Sequence, residues 1–140
     1  MRFVHKIAIC ISLVLAGNHS VANSSDACFT DSLSPQERLV ACTEVIQDLS
    51  TSRSGIAYSW LRRGYALREL GKPGQAVAEF DQAIGLYPNY AEAHLGRGLA
   101  LTDVNRLNDA ELALTTSIAI NPDLAEAYNN RGIVLSLIHI

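Results

Sequence analysis

Four kinds of side chain in this sequence could carry chemistry: histidine, cysteine, neighbouring acids and a spaced series of arginines. Histidine is the usual proton carrier near neutral pH and a common metal ligand. His5 and His19 lie in an apolar N-terminal leader and His139 at the far end, which leaves His94 alone. One histidine makes neither a metal site nor a catalytic triad, so packing between helices is its expected role. Serines gather at 50–54, but no Gly-x-Ser-x-Gly elbow surrounds a nucleophile. Gly96-x-Gly98 falls inside a predicted helix and is no phosphate loop. The chain is expected to hold no catalytic residue, metal or cofactor and not to be an enzyme.

The acids read as surface. Asp109 and Glu111 fall in the first turn of a predicted helix, where negative charge suits the macrodipole. Glu79 and Asp81 are expected on a solvated convex side. Arg63, Arg97 and Arg131 are spaced by 34 residues. Stacked units would set them in a ladder. The expected role is structural, with stems between helices and heads on carbonyls or carboxylates such as Asp81. An anion-binding track is the alternative.

Cysteine usage points to export. Cys10 leaves with the leader, and Cys28 and Cys42 remain as an even pair. A bridge between them would close a loop of about 15 residues, worth roughly 3 kcal/mol in the chain-entropy account. It would staple a loose Asn23–Ser34 segment to the helix that follows. Two unpaired thiols, with Cys42 simply buried, are the other reading. The 13 intervening residues match no zinc spacing.

Arg2, His5 and Lys6 precede Ile7–Ala16, which is apolar except for Ser12. That run suits a signal-peptide core and is too short to span a bilayer of about 30 Å. Ser20-Val21-Ala22 offers small residues for cleavage after Ala22, giving a signal peptide over 1–22. An uncleaved anchor or a buried helix is the competing reading. Without Arg2 and Lys6, the 11 basic residues fall to 9 against 14 acids, a net charge of −5. That balance argues against coating nucleic acid phosphates. An apolar share of 49% argues against disorder. No integral membrane segment is expected after cleavage. Export to the periplasm is the first expectation, and secretion beyond it the second.

These residues must be positioned by helices, because the chain repeats itself every 34 residues. Ala57, Ala91 and Ala125 coincide, as do Trp60, His94 and Tyr128; Gly64, Gly98 and Gly132; and Leu67, Leu101 and Leu135. Later in the unit Ala76 matches Ala110, Phe80 matches Leu114, Ile84 matches Ile118 and Pro88 matches Pro122. The spacings 60–64–67 and 76–80–83 place residues on one helical face. Each unit therefore predicts two amphipathic helices, about 57–70 with 74–86 and 91–104 with 108–120. Gly64 and Ala76 are small enough for close helix approach. Gly71 and Asn105 sit at left-handed helix termini, Pro73 suits a first turn, and Pro88 and Pro122 stop their helices.

The pattern Trp60-x2-Arg63-Gly64-x2-Leu67, Ala76-x3-Phe80, Pro88 resembles the tetratricopeptide repeat (TPR) family. It departs from that pattern in Arg63 for Leu, Leu67 for Tyr, and Ser117 where Ala83 predicts a small apolar residue. The Arg-Gly pairs give it a bacterial flavour, and with the leader it resembles a bacterial exported type. The resemblance implies an all-α fold, a right-handed helix-turn-helix solenoid with an N-terminal capping helix. Residues 57–90 and 91–124 are expected as full units and 125–140 as part of a third. Residues 23–54 are expected as a disulfide-stapled segment and capping helix, with Ser34 as N-cap, Pro35 in the first turn and Glu37 at the third position. A shift of 34 sets Cys42 over Ala76, Ile46 over Phe80 and Leu49 over Ala83. Ser50–Ser54 is expected as a polar link.

The apolar end, Val134 to Ile140, is the opposite of the polar cap that a solenoid needs. The chain is therefore expected to be truncated at its C-terminus. Leu135–Ile140 matches one reading frame of a sequencing-library adapter and is expected to be artefactual; an apolar terminus that docks on earlier helices is the alternative.

By the same resemblance, a concave groove binds a protein or peptide partner. It takes Tyr58, Leu61, Tyr65, Arg68 and Glu69 in the first unit, then Glu92, Leu95, Leu99, Thr102 and Asp103, then Glu126, Asn129 and Ile133. The mixture is apolar and mildly acidic, unlike a basic clamp for a peptide carboxylate. Tyr58 and Tyr65 are the expected anchors. A groove filled by water or by the chain's own termini is the alternative. The expected function is an exported protein-binding scaffold. The other readings are the docking module of a longer, truncated cell-envelope enzyme and a repeat that self-associates through its open third unit.

Overall fold

The computed structural model describes residues 24–139, so the expected signal peptide, its cleavage site and Ile140 lie outside the described residues. Seven helices follow one another: α1 (Ser24–Phe29), α2 (Pro35–Gln47), α3 (Arg53–Glu69), α4 (Pro73–Leu86), α5 (Ala91–Asp103), α6 (Leu107–Ile120) and α7 (Ala125–Ile138). No strand occurs among the described residues.

Each helix packs against the next in the chain. In addition α1 touches α3, α3 touches α5 and α5 touches α7, whereas among the described residues α2, α4 and α6 do not touch one another. The odd helices are thus crowded together and the even helices splayed. That difference curves the stack and makes the odd helices the lining of its concave side. No described helix is long and apolar enough to cross a membrane.

Local chemistry sets the ends. Gly71 and Asn105 have φ of 71° and 60°, the left-handed conformation their positions predict. Pro73 opens α4. Ser34 caps α2 in a complete capping box: Ser34 N donates to Glu37 Oε2 at 2.9 Å, and Glu37 N donates to Ser34 Oγ at 3.3 Å. The Ser34 hydroxyl and amide hold the Glu37 carboxyl below the usual carboxylate range. Ser34→Ala is expected to lower stability by about 1 kcal/mol, read as a shifted urea midpoint with an unchanged slope. No shift would mean that the box does not stabilise α2.

The structure corrects the expectations for the N-terminal region. Asn23–Ser34 is not loose throughout, because α1 forms within it. α2 ends at Gln47, since Asp48 Oδ1 accepts from Ser50 N at 2.9 Å and from Ser50 Oγ at 2.8 Å and turns the chain. Leu49 therefore leaves the helix and stands fully exposed instead of packing like Ala83. α3 starts four residues before Ala57, because Ser52 Oγ accepts from Gly55 N at 3.1 Å and caps it. At the other end α7 runs through Leu135 to Ile138, with Val134 buried.

Two apolar clusters meet at Tyr65 and Val77. Phe80, Ala76, Ala83, Leu61, Leu67 and Ala93 form the first; Leu95, Leu99, Leu101, Leu114 and Val134 belong to the second. Tyr65 packs against both. A smaller cluster holds Cys28, Ala41, Cys42 and Val45. Ser117, the expected misfit, is buried, and its hydroxyl donates to the Ala91 carbonyl at 2.8 Å. The polar atom is satisfied within its own unit, from α6 to the start of α5, instead of left bare.

Candidate functional site

The concave face is the candidate site, and the structure divides its expected residues into three groups. Leu61, Leu95 and Leu99 are only 5%, 3% and 8% exposed. They form its floor and offer almost no surface to a partner, a correction to their expected place as groove contacts. The cause is the close approach of α3, α5 and α7, which shuts these positions between neighbours.

A second group is polar and internally paired. Arg68 Nε donates to Asp103 Oδ2 at 2.7 Å, tying α3 to α5. Glu69 accepts a two-pronged contact from Arg38, at 3.0 Å from Nη1 and 2.8 Å from Nη2, tying α3 to α2. Arg38 is buried; its 34-residue match to Lys72 and Arg106 marks a basic position but does not pair it with Glu69. Thr102 donates its hydroxyl to the Gly98 carbonyl at 2.9 Å.

The third group remains open. Tyr58, Glu92, Glu126, Asn129 and Ile133 are exposed. Tyr65 is half-buried; its hydroxyl donates to the Glu92 carbonyl at 3.4 Å. Burial pushes its ionisation well above the usual tyrosine range, and the nearby Glu126 and Glu92 charges add to the effect.

A cleft of about 390 Å³ opens at the head of this face, lined by Ser54, Ala57, Tyr58, Tyr87, Asn89 and Tyr90. Phe29 extends the aromatic surface, its ring 5.1 Å from that of Tyr58. Burial pushes the Tyr90 hydroxyl up to about 12, with Glu92 and Tyr58 contributing. Arg53 lies 5.5 Å over the Tyr87 ring and donates to the Leu86 carbonyl at 2.9 Å. Tyr87, Asn89 and Tyr90 were not expected here. They lie between helices, where periodicity gives no signal; only the 34-residue match of Tyr90 to Leu124 could have singled one out.

The arginine ladder faces elsewhere. Arg63 Nη2 meets Glu79 Oε1 at 3.2 Å and lies 4.9 Å over the Trp60 ring. Arg97 Nε meets Asp81 Oδ1 at 2.7 Å. Arg131 stacks on Tyr128 at 5.7 Å. Glu79 is thus not a solvated acid as expected. Burial raises its ionisation and the Arg63 charge opposes that rise. Position 113 in the next unit is alanine, which leaves Arg97 to reach back to α4. His94 is half-buried, its Nε2 2.9 Å from the Pro88 carbonyl. Among the described residues no three His, Cys, Asp or Glu side chains are placed to hold a metal.

Cys28 and Cys42 are joined as a disulfide with their Cα atoms 4.6 Å apart; both residues are buried, and the Cys28 sulfur lies 3.6 Å from Ser59 Oγ. Arg62 adds a second tie for the same segment, reaching the Thr30 carbonyl at 2.8 Å and Asp31 Oδ1 at 2.7 Å.

Stacked helix pairs with an open, aromatic-rich inner face define a helical-repeat solenoid. Residues 61–125 match the tetratricopeptide repeat family. The first TPR domain of Spaghetti (RPAP3), bound to the HSP90 peptide SRMEEVD, superposes with a TM-score of 0.66 at 19% identity, over 76% of this chain and 81% of that one. The second TPR domain of human RPAP3, in complex with the HSP70 peptide SGPTIEEVD, gives 0.63 at 23% identity, over 71% and 80%. The TPR domain of Arabidopsis OM64 gives 0.65 at 20% identity, over 71% and 79%. No curated protein sequence matches the chain. Residues 61–125 are thus a tetratricopeptide repeat segment, and the described chain shares the fold of such domains.

Proposed function

We propose that this protein is an exported scaffold that holds a segment of a partner protein on its concave face. The observation that carries this reading is the aromatic-lined cleft, where Phe29, Tyr58 and Tyr87 are all more than a third exposed. Exposed rings beside a preformed cleft are the side chains that dominate protein interfaces. Two of the similar folds hold peptides, which agrees with such a use of the fold. Both of those peptides end in acidic residues. Here the one cation among the expected groove residues, Arg68, is already held by Asp103, so a peptide carboxylate has no ready receptor. Export is supported by the leader pattern and by the Cys28–Cys42 pairing, which suits an oxidising compartment.

The test uses Tyr58→Ala with Tyr87→Ala, because Tyr65 bridges both core clusters and its loss would also weaken the fold. With the double variant, a partner recovered by wild-type protein is expected to bind at least about 10-fold more weakly, with the α3–α6 amides still protected from hydrogen exchange. Undiminished binding to the variant sinks the groove reading.

A further inference from the structure

Tyr58, Glu92 and Glu126 occupy the same place in successive units, 34 residues apart on α3, α5 and α7. All three are exposed on the concave side. Glu92 and Glu126 have no ion pair among the described residues, whereas Glu69 and Asp103 on the same face are neutralised by Arg38 and Arg68. Arg53, at the outer rim, is engaged with Tyr87 and the Leu86 carbonyl. What the face leaves unsatisfied is therefore negative charge next to tyrosine rings. An ammonium or guanidinium group meets both demands, pairing with a carboxylate while its stem or charge lies against a ring. Packed helices stand about 8–10 Å apart, and a chain extended as polyproline II advances about 3.1 Å per residue with three residues per turn, so side chains three apart share a face and meet successive carboxylates.

We infer that the partner segment is basic: an extended peptide whose Lys or Arg side chains pair with Glu92 and Glu126 while its apolar residues enter the cleft of Tyr58, Tyr87 and Tyr90. This rests on the groove reading above. Charge complementarity of this kind speeds encounter and excludes acidic competitors.

The experiment selects linear dodecapeptides displayed on phage against the immobilised protein, with the disulfide intact. Enriched peptides are then synthesised and titrated against wild type, Tyr58→Ala/Tyr87→Ala and Glu92→Gln/Glu126→Gln. The expected result is enrichment of Lys and Arg, with binding roughly 3- to 30-fold weaker in the Gln variant and weaker in 0.5 M salt. Glu111→Gln, a change on α6, should leave affinity unaltered. Peptides that need Tyr58 and Tyr87 but lack basic residues and ignore the Gln variant overturn the inference and leave the groove reading standing. If no peptide is enriched, or the enriched ones bind the Ala variant undiminished, both fall.

Discussion

Phe80→Ala is expected to destabilise the protein by about 3–5 kcal/mol, the largest effect of any single substitution considered for this fold. Phe80 is fully buried on α4 and faces two other helices. A Cβ on Gly64 of α3 would lie 2.7 Å from its ring, and one on Gly96 of α5 would lie 2.4 Å from it. The ring therefore fills the space that two glycines vacate, one inside its own unit and one in the next. Tyr65 closes the third side, edge-on with centroids 5.2 Å apart. In a stack where each unit contacts only its neighbours, stability is a sum of unit and interface contributions. Phe80 belongs to both kinds, so its removal weakens α3–α4 pairing and the junction with α5 together.

A double-mutant cycle isolates the cause. Gly96→Ala alone is expected to lose about 1–3 kcal/mol, because the ring has no room to retreat. In the Phe80→Ala background the clash is gone, and alanine is favoured over glycine in a helix by up to about 1 kcal/mol. The second substitution should then be neutral or stabilising. Guanidinium unfolding of the four proteins reads the coupling directly. Additive losses would show that the ring does not fill the glycine spaces.

Loss of the Cys28–Cys42 bond is expected to lower stability by roughly 3 kcal/mol, since it closes a loop with a sequence separation of 14. The bond matters for a second reason. α1 has only six residues and cannot persist on helix propensity. It is held by the disulfide, by Phe29 against Tyr58 and by Arg62 on the loop after it. Reduction should therefore free α1 first and bare part of the aromatic surface at the head of the groove. Hydrogen exchange with and without a strong reductant tests this. Amides of 24–29 are expected to lose protection, while α4 to α6 keep theirs. A Cys28→Ser/Cys42→Ser variant should show the exposed pattern under both conditions. Equal protection of α1 in the oxidised, reduced and variant proteins would assign its docking to side-chain contacts instead.

The middle of the fold was legible in the sequence. The helices expected at 74–86, 91–104 and 108–120 are found at Pro73–Leu86, Ala91–Asp103 and Leu107–Ile120. Gly71, Asn105, Pro73 and the Ser34 capping box act as their residue types predict. These features are local. A helix end depends on a few neighbouring dihedrals and hydrogen bonds, and the 34-residue period then places like faces together.

Tertiary structure alone decided the rest. Periodicity marks which residues share a face, but not how deep a face sits once helices curve around it. Hence Leu61, Leu95 and Leu99 became floor while Tyr58, Glu92 and Glu126 stayed open. The Arg38–Glu69 and Arg63–Glu79 pairs depend on separations between helices that no spacing within one helix encodes. The cleft owes Tyr87 and Tyr90 to an irregular link, and α1 owes its place to a covalent bond. Both arise from contacts distant along the chain, and those are fixed only when the whole stack closes.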